Sequence, residues 1–196
     1  MNSQQIRKKY RQIRRILPAV QQIKNARLIK KNLNHFFEFS SQLRIAAYSA
    51  VQGEISLNPW IADNRKQHIY LPKLYETIAP QLRFAELTGN TQWKKNRFDI
   101  LEPDANWSNC LHARQLDIIL VPLVAFDRTG YRLGMGGGYY DRSLAFRRTR
   151  QKWLKPRLIG IAHSCQEYPG LPHQDWDIPL DLIITENEII TPRIIK

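Results

Sequence analysis

The sequence predicts a three-layer α/β fold, and three observations carry that prediction. Continuous apolar runs recur along the chain, the strongest being Leu116-Asp-Ile-Ile-Leu-Val-Pro-Leu-Val124, and runs of this kind lie in the middle of a sheet covered on both faces. Helical apolar spacing fills the N-terminal stretch and returns after residue 139. Helical and strand patterns alternate, with no internal repeat, low-complexity tract or compositional boundary. With 196 residues, 43% of them hydrophobic and five Trp, the chain is expected to bury its core as one domain, 1–196, and it is not a disordered composition.

Residues 4–17 and 19–39 read as helices. Ile6, Ile13 and Leu17, then Val20, Ile23, Leu28, Leu33, Phe36 and Phe37, recur mostly at three- to five-residue steps. Pro18 marks the break, and the basic residues are expected on the wet face. Leu43–Tyr48 reads as a buried strand. Asn58-Pro59 opens a short helix, with Asn58 as cap and Pro59 in the first turn. His68–Leu71 and Leu82–Leu87 read as strands, and residues 94–115 as mostly loop. After the strand at 116–124, Asp127–Gly130 is a turn and Gly134–Gly138 a glycine-rich loop. Tyr139–Trp153 reads as a helix, and Leu158–Ala162 and Leu180–Ile184 as two more buried strands.

Charge is unevenly distributed. Thirty Lys and Arg against seventeen Asp and Glu give a net charge of +13, and no acid precedes Glu38. Such an excess attracts polyanions, whether nucleic acid, an anionic surface or phosphate- and carboxylate-bearing ligands. No apolar run approaches the ~20 residues that span a bilayer, and the N-terminus lacks a secretory apolar core. Two cysteines make no disulfide framework. The chain thus reads as a soluble cytoplasmic protein.

The strongest local chemistry is Arg132-Leu133-Gly134-Met135-Gly136-Gly137-Gly138-Tyr139-Tyr140-Asp141. Glycines allow positive φ and close approach of a ligand, and successive N–H groups make an anion nest. The loop is neither a dinucleotide fingerprint nor a Walker A sequence. Asp141 follows it as a magnesium carboxylate or a helix-dipole partner, and Asp175, Asp177 and Asp181 can each supply a second carboxylate. Arg7 and Arg11 are i,i+4 neighbours able to clamp a phosphate. Cys110-x-His112 and His163-x-Cys165 lack zinc-finger spacing, and His163 and Cys165, at the end of an apolar strand, read as packing residues.

The stretch from Leu123 to Arg142, Leu-Val-Ala-Phe-Asp-Arg-Thr-Gly-Tyr-Arg-Leu-Gly-Met-Gly-Gly-Gly-Tyr-Tyr-Asp-Arg, resembles the signature of the 5-formyltetrahydrofolate cyclo-ligase (methenyltetrahydrofolate synthetase) family. Arg7…Arg11, Gln52-Gly53-Glu54-Ile55 and Ile159-Gly-Ile-Ala-His163…Gln166…Leu171-Pro172…Asp177-Ile-Pro179-Leu180-Asp181 fall in the family's order. The resemblance covers nearly the whole chain and implies an α/β/α domain with a central, mainly parallel sheet. It implies an ATP- and Mg²⁺-dependent ligase that closes 5-formyltetrahydrofolate to 5,10-methenyltetrahydrofolate, releasing ADP and phosphate. The formyl oxygen is phosphorylated and N10 attacks, with no nucleophilic side chain.

The resemblance further implies Arg7 and Arg11 on ATP phosphates and Arg132, Leu133, Gly134, Met135, Gly136, Gly137, Gly138, Tyr139 and Tyr140 around the nucleotide. Ser49, Glu54 and Tyr139 would bind folate, and Asp141 and Asp177 the metal. Met135 and Gly137 stand where relatives can be basic, and Arg7 where Lys is frequent, which keeps the charge but changes the geometry. The partners expected are the two small-molecule substrates, without membrane or specific nucleic acid, and the chain is expected to be a monomer. The competing readings are a nucleic-acid-binding protein, motivated by the +13 charge, and a folate binder without catalysis.

Overall fold

The computed structural model describes residues 1–37, 42–64, 67–75, 80–149 and 155–192. Helix α1 spans Ser3–Arg15 and opens on a capping box, in which the Asn2 side chain accepts from Gln5 N and the Gln5 side chain from Asn2 N. Helix α2 spans Ala19–Phe37 and buries Ala26, Ile29, Leu33 and Phe37. Both match the sequence pattern, apart from Ile16 and Leu17, where α1 has already ended ahead of Pro18, and residues 38 and 39, which lie outside the described residues.

Strand β1 (Arg44–Ala46), helix α3 (Asn58–Asp63) and strands β2 (His68–Tyr75) and β3 (Gln81–Glu86) follow. Asn58 is not the cap expected: it is already helical, Leu57 holds the cap position and no side chain caps the helix. Strands β4 (Trp93–Lys95) and β5 (Leu101–Pro103) make a hairpin where a loop was expected. Three-residue strands are too short for alternation to show. Strands β6 (Ile118–Pro122), β7 (Ala125–Phe126) and β8 (Arg132–Leu133) lead to helix α4, Tyr139–Ser143. The helix expected over 139–153 therefore ends after five residues and passes into a 3-10 turn at Ala145–Arg148; residues 150–153 lie outside the described ones. Strands β9 (Arg157–Ile161), β10 (Leu182–Ile184) and β11 (Ile189–Ile190) complete the chain.

The central sheet has seven strands in the order β11-β10-β9-β6-β1-β2-β3. Its five inner strands are parallel, and β3 and β11 add antiparallel edges. Successive side chains take opposite faces. Ile45, Ile69, Leu71, Ile118, Leu120, Ile159, Ile161 and Ile184 pack with α2 and Trp60 of α3. Ala46, Ile119, Val121, Leu158 and Ile183 pack on the other side with Phe126, Leu144 and Leu180. This is the double cover read from the unbroken apolar strands. A third cluster joins Ile6 and Tyr10 of α1 to Val124, Ala125, Leu133 and Leu171, so α1 lies over the β7–β8 hairpin.

The strand order places the site. From β1 the chain moves to β2 on one side, and later returns through β6 on the other. The order therefore reverses between β1 and β6, which opens a crevice beyond the carboxyl ends of these two strands, where open α/β sheets bind ligands. Residues 47–57 leave β1 toward this crevice and residues 123–138 leave β6.

Candidate active site

The turn at residues 51–54 forms the floor of the crevice. Gln52 and Gly53 have φ of 51° and 79°, and Glu54 N donates to Val51 O at 3.0 Å. A Cβ on Gly53 would stand 2.7 Å from Arg14 O, so no larger residue fits. The Glu54 carboxylate accepts from Val51 N at 3.1 Å and from Arg14 Nη2 at 3.2 Å.

Arg14 corrects the expectation that the basic residues of α1 face water. Its side chain is fully buried. Nε donates to Gln52 O at 3.0 Å and Nη1 to Leu123 O at 2.9 Å, while Nη2 also approaches Met135 Sδ at 3.8 Å. One guanidinium thus ties the segment after β1, the segment after β6 and the glycine-rich loop together. Burial pushes the Glu54 carboxyl above the usual carboxylate range, against the pull of Arg14 and the Val51 N–H. Burial also raises the Tyr140 and Tyr48 phenols, and the Glu54 charge adds to both. Tyr48 hydroxyl donates to Ile55 O at 2.9 Å. Ser49 is half-buried in the segment between β1 and the turn.

The glycine-rich loop runs along the rim. Gly136 and Gly138 take φ of 100° and 66°, conformations that other residues rarely adopt. A Cβ on Gly138 would lie 2.7 Å from Arg142 Nη1. Arg7 lies across the loop: its Nε donates to Gly134 O at 2.9 Å, and its guanidinium is the nearest group to a Cβ built on Gly136, at 3.6 Å. Arg11 Nε is buried with no hydrogen-bond partner among the described residues. Leu133 differs from its neighbours in the loop, because its side chain packs in the α1 cluster rather than lining the crevice. Met135 is exposed apart from its contact with Arg14. Because α4 is so short, few aligned peptides reinforce a dipole at Tyr139. Anion attraction therefore rests on the loop N–H groups and the arginines.

Arg132 donates from Nη2 to Asp141 Oδ1 at 2.6 Å and from Nη1 to Ile178 O. Burial lowers its pKa, opposed by the charges of Asp141 and Asp177. The structure therefore joins Arg132 to Asp141, while the Asp177 carboxylate, near enough to act on Arg132 by its charge, accepts from Gln174 N at 2.9 Å. Among the three aspartates at 175–181, Asp181 is structural: it accepts from Arg147 Nη2 at 2.8 Å and from Leu158 N at 2.7 Å. Arg147 is thereby held in an ion pair, not solvated. Among the described residues no three His, Cys, Asp or Glu side chains converge on one point. Asp141 and Asp177 nevertheless offer the hard oxygen donors that magnesium shares with phosphate, where one or two carboxylates suffice.

His163 is a further residue of the site that sequence reasoning passed over as packing. It is fully buried; Nδ1 accepts from Asn25 Nδ2 at 2.8 Å and Nε2 donates to Gly53 O at 3.1 Å. Burial lowers its pKa, so it holds the Gly53 turn as a neutral ring. Among the described residues Cys110 and Cys165 are both free, and neither stands in a group of metal-ligating side chains.

Residues 1–186 match the family model described as the 5-formyltetrahydrofolate cyclo-ligase family. A Haemophilus influenzae protein named 5-formyltetrahydrofolate cyclo-ligase is 38% identical over 186 residues, covering 92% of this chain and 96% of that protein. An Escherichia coli protein of the same name is 37% identical over 152 residues, 74% of this chain and 79% of its own. The solved structure of Aquifex aeolicus 5,10-methenyltetrahydrofolate synthetase superimposes with a TM-score of 0.81 at 30% identity, covering 100% of this chain and 94% of the other. That of the Mycoplasma pneumoniae synthetase gives 0.72 at 26% identity, covering 95% and 99%. Sequence, fold and relatives agree: the chain belongs to the 5-formyltetrahydrofolate cyclo-ligase family.

Proposed function

We propose that the crevice closes 5-formyltetrahydrofolate to 5,10-methenyltetrahydrofolate at the expense of ATP. One observation carries this reading above the others: Arg14 binds the Glu54 carboxylate, the Gln52 and Leu123 carbonyls and the Met135 edge of the glycine-rich loop, so a buried carboxylate and a phosphate-type loop share one cleft.

Glu54 receives the pterin, whose amino and ring N–H groups are donors for a buried carboxylate, and Ser49 lies on the same approach. Tyr139 and Tyr140 offer aromatic faces to the folate. Arg7, Arg11, Arg132 and residues 133–140 receive the nucleotide, and the partnerless Arg11 Nε is a donor available to a phosphate oxygen. Asp141 and Asp177 would hold a magnesium ion, which when bound neutralises phosphate charge.

The γ-phosphoryl passes from ATP to the formyl oxygen, and ADP leaves. N10 then attacks the activated formyl carbon and loses its proton, and the C–O bond breaks to release phosphate. No side-chain nucleophile takes part. The chain orients two substrates and stabilises developing charge with fixed arginines and backbone N–H groups.

The test is spectroscopic. The protein is mixed with 5-formyltetrahydrofolate and ATP, with magnesium and with a chelator in its place. Methenyltetrahydrofolate absorbance should rise only in the magnesium arm. No rise with both substrates and magnesium present would overturn the reading.

A further inference from the structure

The tip of the β4–β5 hairpin stands beside the glycine-rich loop. Trp93, Phe98 and Leu101 are 45%, 52% and 51% exposed, a concentration of large apolar groups that a merely connecting hairpin does not need. The tip is nonetheless firmly built. Asn96 Oδ1 accepts from Phe98 N at 3.0 Å and Ile100 N at 3.3 Å, and Asn96 Nδ2 donates to Glu102 Oε2 at 3.1 Å. Glu102 is buried and also accepts from Leu74 N of β2 at 3.0 Å, which anchors the tip to the central sheet.

This corner holds Phe98 edge-on to Tyr139, with ring centroids 6.0 Å apart. The Arg97 guanidinium lies 4.9 Å from the Phe98 ring centroid and 5.8 Å from that of Tyr139, and its Nη2 donates to the Tyr139 hydroxyl. A chain of neighbours therefore runs from the Glu54 carboxylate, whose charge acts on the Tyr140 phenol, through the adjoining Tyr139 to Phe98 and the Arg97 guanidinium. A folate has the matching order of groups: a pterin of hydrogen-bond donors, an aromatic ring and a glutamyl end bearing carboxylates.

We propose that Arg97 is a specificity-determining residue that binds the glutamyl carboxylates of the folate substrate at the mouth of the crevice. The planar guanidinium fork matches a carboxylate in geometry as well as charge. The edge-on ring pair and the Asn96–Glu102 anchor fix its position before substrate arrives. The assignment rests on the cyclo-ligase reading of the site, and the experiment separates the two.

Wild type, Arg97→Gln and Lys95→Gln are compared on 5-formyltetrahydrofolate and on 5-formyltetrahydropteroate, which lacks the glutamate. Lys95 sits on the same hairpin, paired with Asp99 at 2.7 Å, and controls for loss of one charge. Wild type and Lys95→Gln should prefer the glutamate-bearing substrate by roughly tenfold or more in kcat/KM, as a charge-assisted hydrogen bond supplies. Arg97→Gln should lose that preference through KM, while its turnover of the pteroate stays close to wild type. Equal losses on both substrates would overturn the proposal and leave Arg97 as a support for Tyr139. An unchanged preference would overturn it too. Absence of product from both substrates with wild type would remove the cyclo-ligase reading itself.

Discussion

Arg14 satisfies its guanidinium with two backbone carbonyls and one carboxylate, all inside the protein. Breaking a buried pair by removing one partner leaves the other charge without compensation and costs about 3–5 kcal/mol. Arg14→Gln should therefore lower the stability measured by urea unfolding by about that amount. Arg14→Gln combined with Glu54→Gln should recover part of the loss, because no charge is then stranded. A double variant as unstable as the single one would show that the carbonyl contacts, not the ion pair, dominate. The signal for Arg14 was present in the sequence: positions 7, 11 and 14 share one helix face, beside Ile6, Tyr10 and Ile13. It was hard to weigh, because arginine is almost never fully buried unless paired, and its partner lies forty positions along the chain.

At the scale of elements, legibility followed length and period. The nineteen residues of α2 and the apolar run containing β6 could be read directly. The β4–β5 hairpin could not, because its turn depends on the Asn96 side chain and on Asp99 at φ 59°. Helix α4 stopped early because Leu144 turns into the core and the chain continues as a 3-10 turn. The glycine-rich loop was legible as chemistry, and its structure now separates its glycines. Gly134 has open space around a Cβ, whereas Gly136 combines φ of 100° with Arg7 at 3.6 Å. A β-branched side chain at Gly136 would strain the backbone and displace Arg7, whereas the groups that hold Glu54 are Arg14 and Val51 N. Gly136→Val should weaken ATP binding at least tenfold, about 1.4 kcal/mol, and leave folate affinity within a few-fold. Calorimetric titration of each ligand decides it; unchanged ATP affinity in a folded variant would sink the argument.

At the scale of the whole molecule, His163 couples α2, the Gly53 turn and the segment after β9 through hydrogen bonds to Asn25 and Gly53. Its folded pKa lies below the ordinary 6.5 because of burial. Below about pH 6.5 the unfolded chain takes up a proton that the folded chain resists, so stability is lost as pH falls toward the folded pKa. His112, also lowered by burial, acts with the same sign, and Glu54, raised by burial, with the opposite one. Comparison of wild type with His163→Gln isolates the His163 share. The decline in unfolding free energy between pH 7.5 and 5.5 should be shallower in the variant, and equal slopes would mean that His163 does not carry the dependence.

The +13 charge acts at the same scale and tests the competing reading of a nucleic-acid binder. Arg7 and Arg14 turn inward to the crevice, Arg147 pairs with Asp181, and Arg148 donates to Trp176 O. Arg150 lies outside the described residues. Apart from Arg97, the remaining exposed cations form a field that would draw anionic substrates without touching them. Arg11 and Lys8 separate field from contact, since both stand on α1, Lys8 exposed and Arg11 with a buried, partnerless Nε. Neutralising either removes one unit of field. Only Arg11→Gln removes a donor from the phosphate path. Salt screens exposed charges over roughly 8–10 Å, so the small kcat/KM deficit of Lys8→Gln should vanish at high ionic strength. The larger deficit of Arg11→Gln should largely remain. The measurement is kcat/KM for the three proteins at low and high salt. Equal deficits, both erased by salt, would reduce the first helix to a contributor of charge and leave the phosphate clamp to Arg7, Arg132 and the loop.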